Sequence, residues 1–245
     1  MTSLLRRRSR TEDADAPVIS MVDVGVTYPN GKVALAEVNV AIPSGDFAFL
    51  VGPSGAGKST FIRLLIREQL PTTGSVVVAG HDLLKMRRSQ VPGLRRRIGT
   101  VFQDFRLLPS KTVAENVAFA LEVTGAPGSR IRERVPQLLG LVGLHEHAHH
   151  LPAQLSGGEQ QRTAIARSLV HDPAILIADE PTGNLDPVTS WEIIQLLIHI
   201  NDLGTTVLMA THNQEIVNAM RRRVLALEGG RLVRDESTAA YDREY

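Results

Sequence analysis

The stretch that decides the fold runs from Phe47 to Thr60 and reads FAFLVGPSGAGKST. Its first five residues are apolar without alternation, the pattern of a strand covered on both faces. The next nine are Gly52, Pro53, Ser54, Gly55, Ala56, Gly57, Lys58, Ser59 and Thr60, and they match G-x-x-x-x-G-K-[ST]. The context is the required one, because a strand precedes the loop and a helical stretch, 58–69, comes after it. Gly52, Gly55 and Gly57 let the backbone turn tightly and aim its N–H groups inward. A helix N-terminus adds positive potential where phosphates would lie. Lys58 is expected to reach the β- and γ-phosphates and the Ser59 hydroxyl to coordinate Mg²⁺.

Working outward, a second apolar run, AILIADEP (Ala174–Pro181), ends in two carboxylates, Asp179 and Glu180. They should emerge at the carboxyl end of a buried strand, where open α/β sheets bind ligands. Asp179 would act through the Mg²⁺ shell, and Glu180 could polarise an attacking water. Other short β runs are 18–28, 34–42, 75–80, 97–103 and 205–211, with a hairpin at 223–236 that turns on Gly229-Gly230. Helical stretches at 58–69, 111–124, 130–142, 158–171 and 188–201 separate several of them. This alternation predicts a largely parallel α/β sheet. The middle, about 104–157, has no strong strand and reads as a helical insertion.

HEHAHHLPAQLSGGEQQR (145–162) carries two conflicting signals. His145 to His149 fit H-E-x-x-H, a zinc-protease pattern that needs a regular helix to put both histidines on one face. Gly140 and Gly143 just before it and Pro152 just after leave little room for that helix. Ser156, by contrast, can cap a helix, and Gly157 and Gly158 permit close backbone approach, so a second anion site is the stronger reading. Metalloprotease chemistry is not expected.

Tyr28, the Gly52–Thr60 loop, Gln103, LSGGEQQR (155–162), ILIADE (175–180), NLD (184–186) and His212 come in the order of an ABC-type ATPase domain, which the chain resembles over about residues 18–235. The resemblance implies a P-loop α/β fold with a RecA-like core, an antiparallel β subdomain and a helical subdomain at about 104–160. It implies ATP hydrolysis with Mg²⁺, in a homodimer that sandwiches ATP between one copy's P-loop and the other's Ser156-Gly157-Gly158. By the same resemblance Tyr28 stacks on adenine, Gln103 senses Mg²⁺ and the attacking water, His212 contacts the γ-phosphate, and Asp186 communicates across the dimer. The catalytic set is then Glu180, His212 and Gln103, and the metal set Ser59, Gln103 and Asp179.

The segments 104–125, 179–187, 205–213 and 229–236 resemble the FtsE family of cell-division ATPases, and in part the lipoprotein-release and macrolide-efflux ABC systems. The first resemblance implies an FtsX-like integral membrane partner, an indirect link to peptidoglycan hydrolases, and a peripheral place on the cytoplasmic face of a bacterial membrane. The alternatives are an export ATPase and a slow-turnover, ATP-dependent scaffold at the division site. One departure is Asn213, where many relatives carry aspartate; it lies beside His212 rather than among the phosphate contacts.

Composition sets the bounds. The chain has 245 residues, a formal net charge of +1 and no cysteine, which suits one large α/β domain in a reducing compartment and makes no case for nucleic-acid binding. No apolar run approaches the ~18 residues of a membrane span. Residues 1–17 read as a disordered tail, whose Arg6, Arg7, Arg8 and Arg10 could meet anionic lipid. Residues 236–245 read as a C-terminal tail.

Overall fold

The computed structural model describes residues 16–237. The readings of the basic start, Arg6 to Arg10 included, and of the last residues, 238–245, lie outside that range. The strands are β1 (Ile19–Thr27), β2 (Val33–Ile42), β3 (Phe47–Val51), β4 (Thr73–Val78), β5 (His81–Asp82), β6 (Ile98–Phe102), β7 (Ile175–Asp179), β8 (Thr206–Ala210), β9 (Arg223–Glu228) and β10 (Arg231–Glu236). The helices are α1 (Lys58–Leu65), α2 (Val91–Arg96), α3 (Val113–Glu122), α4 (Gly128–Leu141), α5 (Gly157–Ser168), α6 (Pro187–Asp202) and α7 (Gln214–Met220).

Two sheets form. One has the order β10-β9-β3-β8-β7-β6, parallel except for the β9–β10 hairpin; the other is antiparallel, β2-β1-β4-β5. The apolar run of β3 explains the first. Phe47, Phe49 and Val51 enter the core shared with α3 to α6, while Ala48 and Leu50 enter the core shared with α1 and the antiparallel sheet. β7 and β8 divide in the same way: Leu176, Ala178, Val207 and Met209 to one side, Ile175, Ile177, Leu208 and Ala210 to the other. A period-2 side-chain pattern with apolar material on both faces leaves no room for polar alternation.

Local signals set the ends. Thr112 and Glu115 form a reciprocal capping box at the start of α3. Asp186 caps α6, with Pro187 as its first helical residue. α1 stops at Leu65, short of the expected 69, because Arg67 takes a left-handed conformation (φ 52°) and the amides of Glu68 and Gln69 turn back to the Arg63 carbonyl. Residues 104–156 contain no strand, and α5 runs unbroken through residue 160. Two helices were not anticipated: α2, and α7, whose N-cap is Asn213, accepting from the Ile216 amide at 3.2 Å. The departure at Asn213 is thus a helix cap, a job aspartate and asparagine do equally well.

Candidate active site

Four parallel strands end side by side. Leu50 pairs with Ala210, Ala210 with Asp179, and Asp179 with Phe102. The chain leaving this row therefore presents the Gly52 loop, Thr211-His212, Glu180 and Gln103 along one edge. Of these, the Gly52 loop, His212, Glu180 and Gln103 line, together with Tyr28, a cavity of about 990 Å³, at the upper end of the range of small-molecule sites.

The loop needs glycine at two positions for reasons the structure makes explicit. At Gly52 (φ 145°) a Cβ would sit 2.2 Å from the Leu227 carbonyl oxygen, and at Gly57 (φ 112°) 2.7 Å from that of Ala34. Gly57 is also the N-cap of α1, so no side chain occupies the first amides of that helix and they stay available to an anion. The Lys58 ammonium folds over the loop, donating to the carbonyls of Gly52 (2.6 Å) and Pro53 (3.2 Å). The Tyr28 hydroxyl lies 2.9 Å from Thr60 Oγ1, which pins the half-buried ring beside α1.

Facing the loop are Asp179 and Glu180. Burial, with the adjacent Glu180 charge second, holds the Asp179 carboxyl above the ordinary aspartate range; Lys58 and Arg106 offset this only in part. A half-buried acid short of positive charge, sharing its cavity with the Ser59 hydroxyl and the Gln103 amide, belongs to an oxygen-donor set that fits Mg²⁺. Among the described residues no cluster of three or more His, Asp or Glu side chains could hold a metal by itself, so the ion's remaining ligands would be phosphates and water. Glu180 adopts φ 50°, and its Oε1 lies 2.8 Å from His212 Nδ1. With the carboxylate ionised, that ring nitrogen is the donor.

The structure therefore brings Tyr28, Gly52 to Thr60, Gln103, Asp179, Glu180 and His212 onto one cavity. Ser156, Gly157, Gly158 and Asp186 are elsewhere. Ser156 and Gly158 border a separate depression of about 400 Å³ with Glu159 and Arg162. Ser156 is exposed and caps α5; its amide and hydroxyl both donate to Glu159 Oε2, at 2.7 and 2.9 Å. That bonding holds the Glu159 carboxyl below its usual range. Gly158 is buried, and its close neighbour is α6 of the same chain: a Cβ there would meet Thr189 Cγ2 at 2.5 Å. Its small size is already required by internal packing.

Sequence reading missed Asn184, Arg106 and Arg167. Asn184 pairs with Gln103. Arg106 lines the cavity with its guanidinium 3.8 Å from the Phe102 ring centroid. Arg167 of α5 donates to the carbonyls of Phe105 (2.9 Å) and Arg106 (2.6 Å), two successive residues with positive φ. No residue spacing announced these contacts, although Asn184 falls inside the NLD motif. His145 to His149 form a bend and turns, not a helix, so the zinc-protease geometry is not built. His147 instead pairs with Glu159 at 3.4 Å.

The comparisons agree with the geometry. The ABC transporter family matches residues 35–183. The cell division ATP-binding protein FtsE of Streptococcus pneumoniae is 57% identical over 224 residues, covering 91% of this chain and 97% of that protein. The FtsE of Bacillus subtilis is 56% identical, covering 91% and 98%. Among solved structures, the ATP-binding cassette MJ0796, described as dimeric and bound to ADP and Pi in a post-hydrolysis state, superposes with a TM-score of 0.79 at 36% identity, covering 91% and 100%. With a phosphate loop, two acids and a histidine on one sheet edge and these relatives over nine-tenths of its length, the chain belongs to the ABC transporter family of ATPases, in its FtsE branch.

Proposed function

We propose that this chain is the ATP-hydrolysing subunit of an FtsE–FtsX-like membrane complex in bacterial cell division. The observation that carries it is the split of the site: the phosphate loop, Asp179, Glu180, Gln103 and His212 share one cavity, while Ser156 and Asp186 stand outside it. A second copy of the chain supplies them in this reading. ATP bridges the two copies, and hydrolysis lets them part.

Within one cavity the roles follow from chemistry. The loop amides, the α1 N-terminus and Lys58 hold phosphate oxygens and stabilise charge that develops on them. Ser59, Asp179 and Gln103 would hold Mg²⁺, which would supply positive charge to the phosphate oxygens. Tyr28 offers its ring to adenine. Glu180 would accept a proton from water, a reading supported by its seat on the cavity and by the 2.8 Å bond between its carboxylate and His212.

Force would leave through the segment after Gln103, where the RecA-like core meets the helical part at about 104–160. Asn116, fully buried, ties that segment to α3: its amide accepts from the Leu108 amide (2.8 Å) and donates to the carbonyls of Leu108 (3.1 Å) and Lys111 (2.8 Å). Half-buried Leu107 and Leu108, with Phe105 and Pro109, form the surface that receives a cytoplasmic helix of the membrane partner. No helix among the described residues is long and apolar enough to cross a membrane, so the span would belong to that partner, and this chain would sit at its cytoplasmic face. Any link to peptidoglycan hydrolases would run through the partner. The test is co-purification of the FtsX-like protein with wild type and with Leu107→Asp. Loss of the partner with ATP binding intact supports the surface, and unchanged capture refutes it. Capture of an export permease instead would move the chain to the lipoprotein-release or macrolide-efflux group.

A further inference from the structure

Gln103 is an amide, and only one of its two ends can serve a cation. The structure contains a device that selects that end. Asn184 Nδ2 donates to the backbone carbonyl of Gln103 at 3.0 Å, and Asn184 Oδ1 accepts from Gln103 Nε2 at 3.1 Å. A backbone carbonyl can only accept, so Asn184 must turn its NH₂ group toward it. Its oxygen is then committed to the Gln103 side chain, which must answer with its own NH₂. The Oε1 of Gln103 is left as the free acceptor of a residue that lines the phosphate cavity. Gly183 completes the seat: a Cβ there would lie 2.8 Å from Gln103 Nε2 and 3.0 Å from Cδ.

The seat is itself anchored. The Gly183 amide donates to the Glu180 carbonyl at 3.1 Å, and Gln161 of α5, fully buried, donates to the Pro181 carbonyl at 2.6 Å. The turn carrying Asn184 is thus fixed to Glu180 and to the helix capped by Ser156.

We propose that Asn184, with Gly183 leaving room for the Gln103 side chain, is a positioning residue that orients the Gln103 amide with its oxygen toward a divalent cation held with the nucleotide. This rests on the Mg·ATP reading of the cavity. Removal of an outer partner of a metal ligand typically lowers metal affinity ~10–100-fold, and the same range is expected here.

The experiment uses the full chain with Glu180→Gln to stop turnover and a fluorescent ATP analogue as probe. Affinity is measured with Mn²⁺ and with chelator, in the parent, in Asn184→Leu, which keeps the bulk of the side chain, and in Gly183→Ala. The expected result is unchanged metal-free affinity in both variants and a ratio of Mn²⁺-bound to metal-free affinity reduced at least tenfold. Thermal unfolding shows whether each variant folds; if Asn184→Leu does not, Gly183→Ala carries the test, since its added methyl displaces Gln103 and leaves Asn184 in place. A ratio equal to the parent's in a folded variant overturns the proposal while leaving the ATP reading intact. A parent that binds no nucleotide overturns both.

Discussion

Gly158→Ala is expected to destabilise the chain before any nucleotide is present. The new methyl carbon would sit 2.5 Å from Thr189 Cγ2, whereas carbon atoms pack at about 3.5–4.0 Å. Either α5 and α6 separate by about 1 Å or Thr189 turns, and both disturb its neighbourhood, because the Thr189 amide donates to Asp186 Oδ1 at 3.0 Å in the cap of α6. Overpacking of this kind costs about 1–3 kcal/mol. At about 2–4 °C per kcal/mol for a domain of this size, the unfolding temperature should fall by about 2–12 °C. Thr189→Ser deletes the clashing methyl and keeps the amide, so the double variant should regain most of the loss. Gly157→Ala should be milder, since its Cβ meets only the end of the Leu185 side chain, at 3.1 Å. Differential scanning calorimetry of wild type and these three variants without ATP reads this directly. An unchanged Gly158→Ala, or a double variant no better than the single, would refute the packing argument for Gly158.

The site itself supports three further expectations. Glu180→Gln should keep ATP binding and lower turnover ~10²–10⁴-fold, the usual loss for an acid–base group; near-normal phosphate release would remove Glu180 from the mechanism. Lys58→Ala should fold and yet fail to bind ATP productively, because it removes the charge aimed at the phosphates; calorimetric titration checks it. Asp179→Asn should raise the unfolding temperature of the nucleotide-free protein at neutral pH while abolishing Mg²⁺-dependent turnover. Its sign comes from the raised carboxyl: the folded state binds that proton more tightly than the unfolded chain, so the ionised form costs stability, a cost relieved as pH falls through the raised value. The advantage of Asp179→Asn should therefore shrink toward acid, and an advantage that grows there would contradict the cause assigned.

The elements most legible in the sequence were those fixed by burial on both faces. FAFLV and ILIAD have one structural solution, a central parallel strand, and the residues after each must emerge at the carboxyl edge. Hence Lys58, Asp179 and Glu180 could be placed from local text alone. Tyr28, Gln103 and His212 needed the family pattern, because a single aromatic, amide or imidazole at a strand end says nothing of its surroundings. Asn184 and Arg167 remained hidden, because their bonds join positions 61 to 81 residues apart and depend on the meeting of turns. Arg106 was hidden in the same way, inside a turn whose shape those bonds set. The stop of α1 was missed because nothing in Ile66-Arg67-Glu68 forbids helix; Arg67 adopts positive φ where its guanidinium donates to the carbonyls of Leu83 and Met86, contacts 16 and 19 residues away in sequence.

Completion of the cavity on one copy by Ser156 of another is the step on which the proposed function stands. Light scattering of the Glu180→Gln protein, with and without Mg·ATP, decides it when Ser156→Arg is added in parallel. The Glu180→Gln protein should double its mass when Mg·ATP is added, and the protein carrying Ser156→Arg as well should bind the nucleotide and stay at monomer mass. Equal dimerisation of both proteins would contradict the shared site.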